Sequence, residues 1–127
     1  MGTTGAAEKS RGDVKHTMTY KEIALMVAST GLPNAYYQFP NNTPQTPPFI
    51  CFYYGATNDM YADKKNYQRI SELVIEFYSD TKDFANEAII EATLETAGLT
   101  YQKYEQFLDD EKMHETVYEM EVIINGE

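Results

Sequence analysis

The fold is decided by the stretch Ile70-Ser71-Glu72-Leu73-Val74-Ile75-Glu76-Phe77-Tyr78. It is rich in β-branched and aromatic residues, which favour strands. Leu73, Ile75 and Phe77 are spaced two apart and share one face, while the two glutamates point to the other face. This alternation predicts a β-strand with one apolar face toward the core and one face exposed to solvent.

Downstream of this strand the sequence predicts a helix and two more strands. Asp83 can cap a helix that runs from about residue 84 to residue 97, and Gly98 ends it. Two strand-like runs follow, at residues 101–108 and 115–124. The unit therefore has the order strand, helix, strand, strand, and the rest of the chain must pack against it.

The upstream half adds one helix and two strands. Thr19-Tyr20-Lys21-Glu22 is a capping box, and it starts a helix of about residues 20–30. All five prolines lie between positions 33 and 48. They separate a short strand at 34–39 from a largely apolar strand at 49–54, because proline cannot continue a helix or a central strand.

The element order predicts the fold class. Residues 1–17 are small, polar and without periodicity, so they predict a flexible arm or leader. Residues 18–127 then form a single domain. The order α-β-β-β-α-β-β predicts an α+β fold with a mostly antiparallel sheet of four to five strands and both helices on one face.

The second helix has apolar side chains on two separate sides. One side is predicted to face the sheet and holds Phe84, Ala85, Ala88, Ile89, Ala92 and Leu99, with Thr96 at its edge. Ile90 and Leu94, with Ala97, lie on the other side. They either meet the first helix within the same chain or contact another copy.

An acidic strip lies between these two sides and is predicted to be exposed, as an acidic surface or a lumen lining: Glu87, Glu91 and Glu95. Tyrosine is enriched at protein–protein contacts, and the chain has eleven tyrosines. The predicted oligomer interface therefore combines the apolar helix side with three tyrosines: Ile90, Leu94, Tyr53, Tyr61 and Tyr67.

Composition limits the possible partners. The net charge of −10 argues against binding of nucleic acid through phosphates and against anionic membrane surfaces. No apolar run approaches the roughly 20 residues that span a bilayer. Cys51 is the only cysteine, which excludes an internal disulfide and fits a reducing compartment.

The sequence carries no catalytic signature. His16 and His114 have no partners at metal-ligand spacing, and Cys51 cannot form a zinc site alone. The glycines are scattered, so no phosphate-binding loop is recognisable. These observations predict a protein that is not an enzyme and has no cofactor or metal.

The chain resembles, more in its second half than in its first, the tail-terminator, or tail-completion, proteins of long-tailed phages and prophages of Gram-positive bacteria. The resemblance covers about Met18 to Ile124. It rests on Phe77-Tyr78-Ser79-Asp80-Thr81-Lys82-Asp83 before an acidic helix, on Tyr101 and Tyr104, on Asp110-Glu111-Lys112-Met113-His114, and on Val117-Tyr118-Glu119-Met120-Glu121-Val122.

The resemblance implies a structural role. Such proteins form a ring, typically a hexamer, on the head-proximal end of the tail tube, and they join it to head-completion or connector proteins. The partners would be further copies of the chain, the tube protein and the connector, with DNA passing through an acidic lumen without specific binding. The protein would assemble in the host cytoplasm and reside at the head–tail junction of the virion.

Two other hypotheses remain open at this point. The net charge and the Glu87/Glu91/Glu95 strip would suit an acidic DNA mimic that inhibits a host nuclease or DNA-binding protein. A small ligand-binding or enzymatic α+β domain would instead need a deep pocket with convergent polar groups.

Overall fold

The computed structural model describes residues 17–40, 45–57, 60–61 and 67–125, and for residues 60, 61, 67 and 68 it describes the backbone alone. In chain order the elements are β1 (Thr17–Met18), α1 (Tyr20–Ala28), β2 (Asn34–Tyr36), β3 (Phe49–Thr57), β4 (Met60–Tyr61), β5 (Tyr67–Ser79), α2 (Phe84–Thr96), β6 (Gln102–Leu108) and β7 (Met113–Ile124). Among the described residues no helix has the length and apolarity to cross a membrane.

The sheet is mixed. Its order is β1-β7-β5-β3-β2, with β6 beside β7 and a two-residue ladder between β4 and β5. The pairs β3–β5, β5–β7 and β6–β7 are antiparallel, whereas β1–β7 and β2–β3 are parallel. Six strands therefore form one mixed sheet, which corrects the predicted mostly antiparallel sheet of four to five strands.

The two parallel ladders account for the difference. Thr17 had been assigned to a flexible arm, but it pairs with Ile123 as part of β1. Residues 1–16, the rest of the predicted arm, lie outside the described residues. β2 ends at Tyr36 because Tyr37 adopts a positive φ of 70°, which no strand residue takes.

The core lies between the helices and one face of the sheet. The register pairs Ile50 with Phe77 and Phe52 with Ile75, so their side chains point the same way. Ile23 of α1 belongs to the same buried cluster as these four residues and the corresponding residues of β7. Both helices therefore cover one face, as predicted.

Local signals in the sequence set the helix ends. The Thr19 hydroxyl accepts from the Glu22 amide at 3.0 Å, and the Glu22 carboxylate accepts from the Thr19 amide at 2.9 Å. This confirms the predicted capping box. Asp83 caps α2 by accepting from the Asn86 amide at 3.1 Å. Gly98, with a φ of 81°, follows the end of that helix because glycine tolerates the left-handed conformation.

Candidate interaction surfaces

The face of the sheet that carries neither of the two described helices is acidic; we call it the helix-free face. By register it includes alternate residues of β3, β5, β6 and β7. Five carboxylates lie on it, and the described strands contribute no lysine or arginine to it: Glu72, Glu76, Glu115, Glu119 and Glu121. This face carries an excess of negative charge.

Tyrosine hydroxyls bind several of these carboxylates. Tyr53 donates to Glu76 at 3.2 Å, and Tyr78 donates to the other oxygen of Glu76 at 2.8 Å. Tyr104 donates to Glu119 at 2.6 Å. Burial, with the charge of Glu76 added, raises the pKa of Tyr53 to about 12. The hydrogen bond to Glu119 raises the pKa of Tyr104 to about 12 as well. These phenols therefore stay protonated and hold the carboxylates in place.

A cleft of about 430 Å³ opens at one end of the helix-free face. Phe39, Phe49 and Tyr78 are among its lining residues, together with the thiol-bearing Cys51. Burial raises the pKa of the Cys51 thiol to about 11, so the thiol is protonated and weakly nucleophilic at neutral pH. Among the described residues the polar lining of the cleft consists of Gln38, Gln45 and Glu111, together with the hydroxyls of Tyr37 and Tyr78.

The opposite side of the sheet holds a buried carboxylate. Glu87 is 2% exposed, and its Oε1 pairs with the ammonium groups of Lys82 at 2.8 Å and Lys103 at 3.0 Å. Its Oε2 accepts from the Thr116 hydroxyl at 3.1 Å. Burial acts to raise the pKa of Glu87, but these hydrogen bonds outweigh it and hold the pKa below its usual value.

The same region brings together a possible set of metal ligands. Ligand atoms of Glu87, Glu105 and His114 lie within 4.8 Å of one another. The sequence did not suggest this group, because the three residues belong to α2, β6 and β7. However, the Lys82 ammonium contacts both carboxylates, at 2.8 and 2.6 Å. A positive charge therefore already occupies the position that a metal ion would take.

Ile90 and Leu94 do not form an oligomer contact. Each is 1% exposed, and both lie in the core with residues of α1 and of the sheet. The sequence analysis had left a contact with the first helix open as the other possibility, and that possibility is correct. A side chain this deeply buried cannot reach another copy without unfolding.

Within α2 the other side faces solvent, contrary to the prediction that it packs on the sheet; only Leu99, which follows the helix, is buried in the core. Phe84 is 73% exposed and Ile89 is 44% exposed, and the three alanines of that side are also exposed. We call this set the α2 apolar stripe: Phe84, Ala85, Ala88, Ile89 and Ala92.

The predicted acidic strip is not a surface feature as a whole. Glu87 is buried, and Glu91 is partly buried between Lys103 at 2.6 Å and the Tyr118 hydroxyl at 2.9 Å. Only Glu95 is exposed. This corrects the assignment of Glu87 to an acidic surface and removes the strip that motivated the DNA-mimic hypothesis.

Of the three tyrosines in the predicted interface, one has a described side chain. Tyr53 is half-buried on the helix-free face. The side chains of Tyr61 and Tyr67 lie outside the described part of the chain. Strand periodicity placed Glu72, Glu76, Glu119 and Glu121 on the wet faces of two strands, but it could not show that the two strands are neighbours and merge these faces into one surface.

The outer edge of β6 is a further exposed feature. Within the described part of the chain β6 pairs only with β7, and residues 102–107 are all exposed there. Tyr104 and Phe107 are 49% and 52% exposed, on opposite faces of the strand. The register of β6 with β7 runs without a bulge from Gln102 to Leu108. This edge is therefore regular and open to solvent.

Comparison with known proteins shows a shared fold with a chain of a virion particle. No protein-family model matches the sequence, and no curated protein matches it. The fold is similar to that of a chain in the solved structure described as "Virion of native gene transfer agent (GTA) particle". The TM-score is 0.53 at 16% sequence identity, and the match covers 83% of this chain and 87% of that chain. At this identity the likeness shows that the two chains share a fold.

Proposed function

We propose that the protein is a structural component of a phage-type virion. The observation that carries the proposal is the fold likeness to a chain of a virion particle, which spans 83% of this chain. The two extended surfaces, the helix-free face and the α2 apolar stripe, suit contacts with other proteins. The role proposed is structural and not catalytic.

Within that class we propose a tail terminator at the head–tail junction. The support is the resemblance of residues 77–83, 110–114 and 117–122 to tail-terminator proteins. In this role several copies form a ring that ends the tail tube and binds the head-completion proteins. The helix-free face suits the wall past which DNA moves, because four of its carboxylates are partly or fully exposed and repel phosphate, while Glu115 is buried.

The proposal is tested in the phage or prophage that encodes the chain. Deleting its gene is expected to leave filled heads without attached tails, together with tail tubes of uncontrolled length, seen by negative-stain electron microscopy. An epitope-tagged copy is expected to restore joined particles and to place antibody gold at the head–tail junction. Normal particles after deletion would overturn the structural role. If deletion gives tails of normal length that lack heads, the terminator role would be overturned, but the broader role as a structural virion component would still hold.

A further inference from the structure

We propose that the free protein forms a twofold dimer in which β6 of one copy pairs antiparallel with β6 of a second copy. This inference does not rest on the proposed virion role. The starting observation is the open edge of β6, since an edge strand exposes unpaired backbone groups that can pair with another strand. Proteins commonly block such edges with prolines, bulges or charged side chains. β6 has no proline or bulge, and its charged residues Lys103 and Glu105 already pair within the chain, with Glu91 and Lys82.

The charges of β6 are complementary to themselves in one register. Residues that lie opposite each other in an antiparallel pair point to the same face of the sheet. If the two sheets join with both helix layers on the same side, one residue of β6 must therefore lie opposite its own copy. The twofold axis passes between these two copies, and we name the axis after that residue. An axis at Lys103 sets lysine against lysine, and an axis at Glu105 sets glutamate against glutamate, and both cost free energy. An axis at Tyr104 sets Lys103 of each copy opposite Glu105 of the other. Of these three axes only the one at Tyr104 avoids setting like charges opposite each other, and there each charge gains a second partner besides those it has within its own chain.

The helix-free side of this junction is free of like-charge conflict. There β6 offers only Gln102, Tyr104 and Gln106, so the two Tyr104 rings meet and each Gln102 lies opposite Gln106 of the other copy. The carboxylates of β7 lie one strand further back in each copy. The facing β7 strands are about 14 Å apart at a spacing of about 4.8 Å per strand, beyond the screening length of about 8 Å at physiological salt.

The helix side of the junction carries one end of each α2 apolar stripe. In each copy Glu91 of α2 reaches Lys103 of β6 and Tyr118 of β7, while Ile90 and Leu94 lie in the core with Ile50 of β3 and Ile75 of β5. Phe84 lies on the β6 side of α2, since Lys82 contacts both its ring and Glu105. The dimer would cover Phe84 and, one turn on, Ala88.

The other free edge of the sheet is a poorer partner. β2 has three residues, and Pro33 and the positive-φ residue Tyr37 flank it. Too few backbone groups remain there to hold a strand from another copy. Since an isologous contact closes on itself, the β6 dimer is a form of the free protein and not the repeating contact of a ring.

Cysteine cross-linking tests the register directly. In the proposed dimer residue 104 faces itself, so Tyr104→Cys is expected to form a covalent dimer under mild oxidation. Residue 102 faces residue 106, so Gln102→Cys is the matched control and is expected not to cross-link. The unsubstituted chain controls for the buried Cys51. Cross-linking of both variants to the same extent, or of neither, would overturn the register.

Sedimentation velocity over a concentration series tests the dimer itself. The unsubstituted protein is expected to form a reversible dimer. The double variant Gln102→Lys/Gln106→Lys sets lysine opposite lysine twice and is expected to raise the dissociation constant about tenfold or more. Each lysine lies opposite a glutamate of its own chain, Glu119 or Glu115, so folding should be retained. The single variants should dissociate much less. A protein that stays monomeric throughout, or a double variant equal to the singles, would overturn the dimer.

Discussion

The hydroxyl of Thr116 donates to Oε2 of Glu87 across 3.1 Å, and the two side chains are 0% and 2% exposed. This bond ties α2 to β7 inside the fold. It also completes the set of donors that makes a buried carboxylate tolerable, since a buried charge without partners is costly.

Replacing Thr116 with valine tests the contribution of this bond. Thr116→Val keeps the branched shape of the side chain but removes the donor, and it leaves a carboxylate oxygen buried without its partner. We expect the free energy of unfolding in urea to fall by about 1–2 kcal/mol. The control is Thr100→Val at an exposed position, which should change it by less than about 0.5 kcal/mol. Equal losses in both variants would show that the bond contributes nothing specific.

Glu87 should make the stability depend on pH in acid. Its pKa in the folded protein lies below the usual 4.5, so its contribution is fully present above that value and is lost as the pH falls through the folded pKa. We expect Glu87→Gln to be less stable than the unsubstituted protein at neutral pH. The difference should shrink as the pH is lowered below about 4.5. Urea unfolding at a series of pH values measures it, and a difference that stays constant with pH would contradict the account.

Truncation should cost much more stability at one of two adjacent isoleucines of α2 than at the other. Ile90 is 1% exposed in the core, whereas Ile89 is 44% exposed on the α2 apolar stripe. We expect Ile90→Ala to lower the free energy of unfolding by about 2–5 kcal/mol, because it leaves a cavity. Ile89→Ala should lower it by less than about 0.5 kcal/mol. Thermal or urea unfolding at low protein concentration separates them, and a larger loss for Ile89 would reverse the orientation of the helix.

Cys51 should be unreactive in the folded protein. Burial, with the nearby Glu76 charge added, raises its pKa from 9.0 to about 11. At pH 8 this reduces the thiolate fraction about a hundredfold, since each pKa unit is a factor of ten. We expect Ellman's reagent to react with Cys51 at least that much more slowly in the native protein than in the same protein unfolded in urea. Similar rates in both states would place the thiol at the surface.

The sequence identified the elements better than it identified their faces. Strand and helix periodicity located all the long elements, and the capping box at Thr19 and Glu22 marked the start of α1. The orientation of α2 was wrong because apolar residues occur on two of its sides. The side with Phe84 and three alanines has more apolar residues. However, Ile90 and Leu94 bury larger aliphatic side chains than the alanines, and they determine which side of the helix packs on the core.

The prediction that the glutamates of α2 are exposed was wrong for a related reason. A glutamate in a helix is usually exposed, and only the three-dimensional arrangement reveals that Lys82 and Lys103 converge on Glu87. Those lysines come from a turn and from β6, so no spacing within the helix predicts them. The parallel ladder of β1 with β7 was missed as well, because two paired residues leave no pattern in either strand.

The β1–β7 ladder also brings the first and last described residues of the chain close together. Thr17 lies beside Ile123, and the Asn125 amide donates to the Met18 carbonyl at 3.0 Å. A short linker from residue 125 back to residue 17 would therefore join the two ends of the fold with little strain. With new termini opened in the turn at residues 109–112, the chain would begin with β7 and end with β6. A gene rearranged in this way should still encode the same sheet.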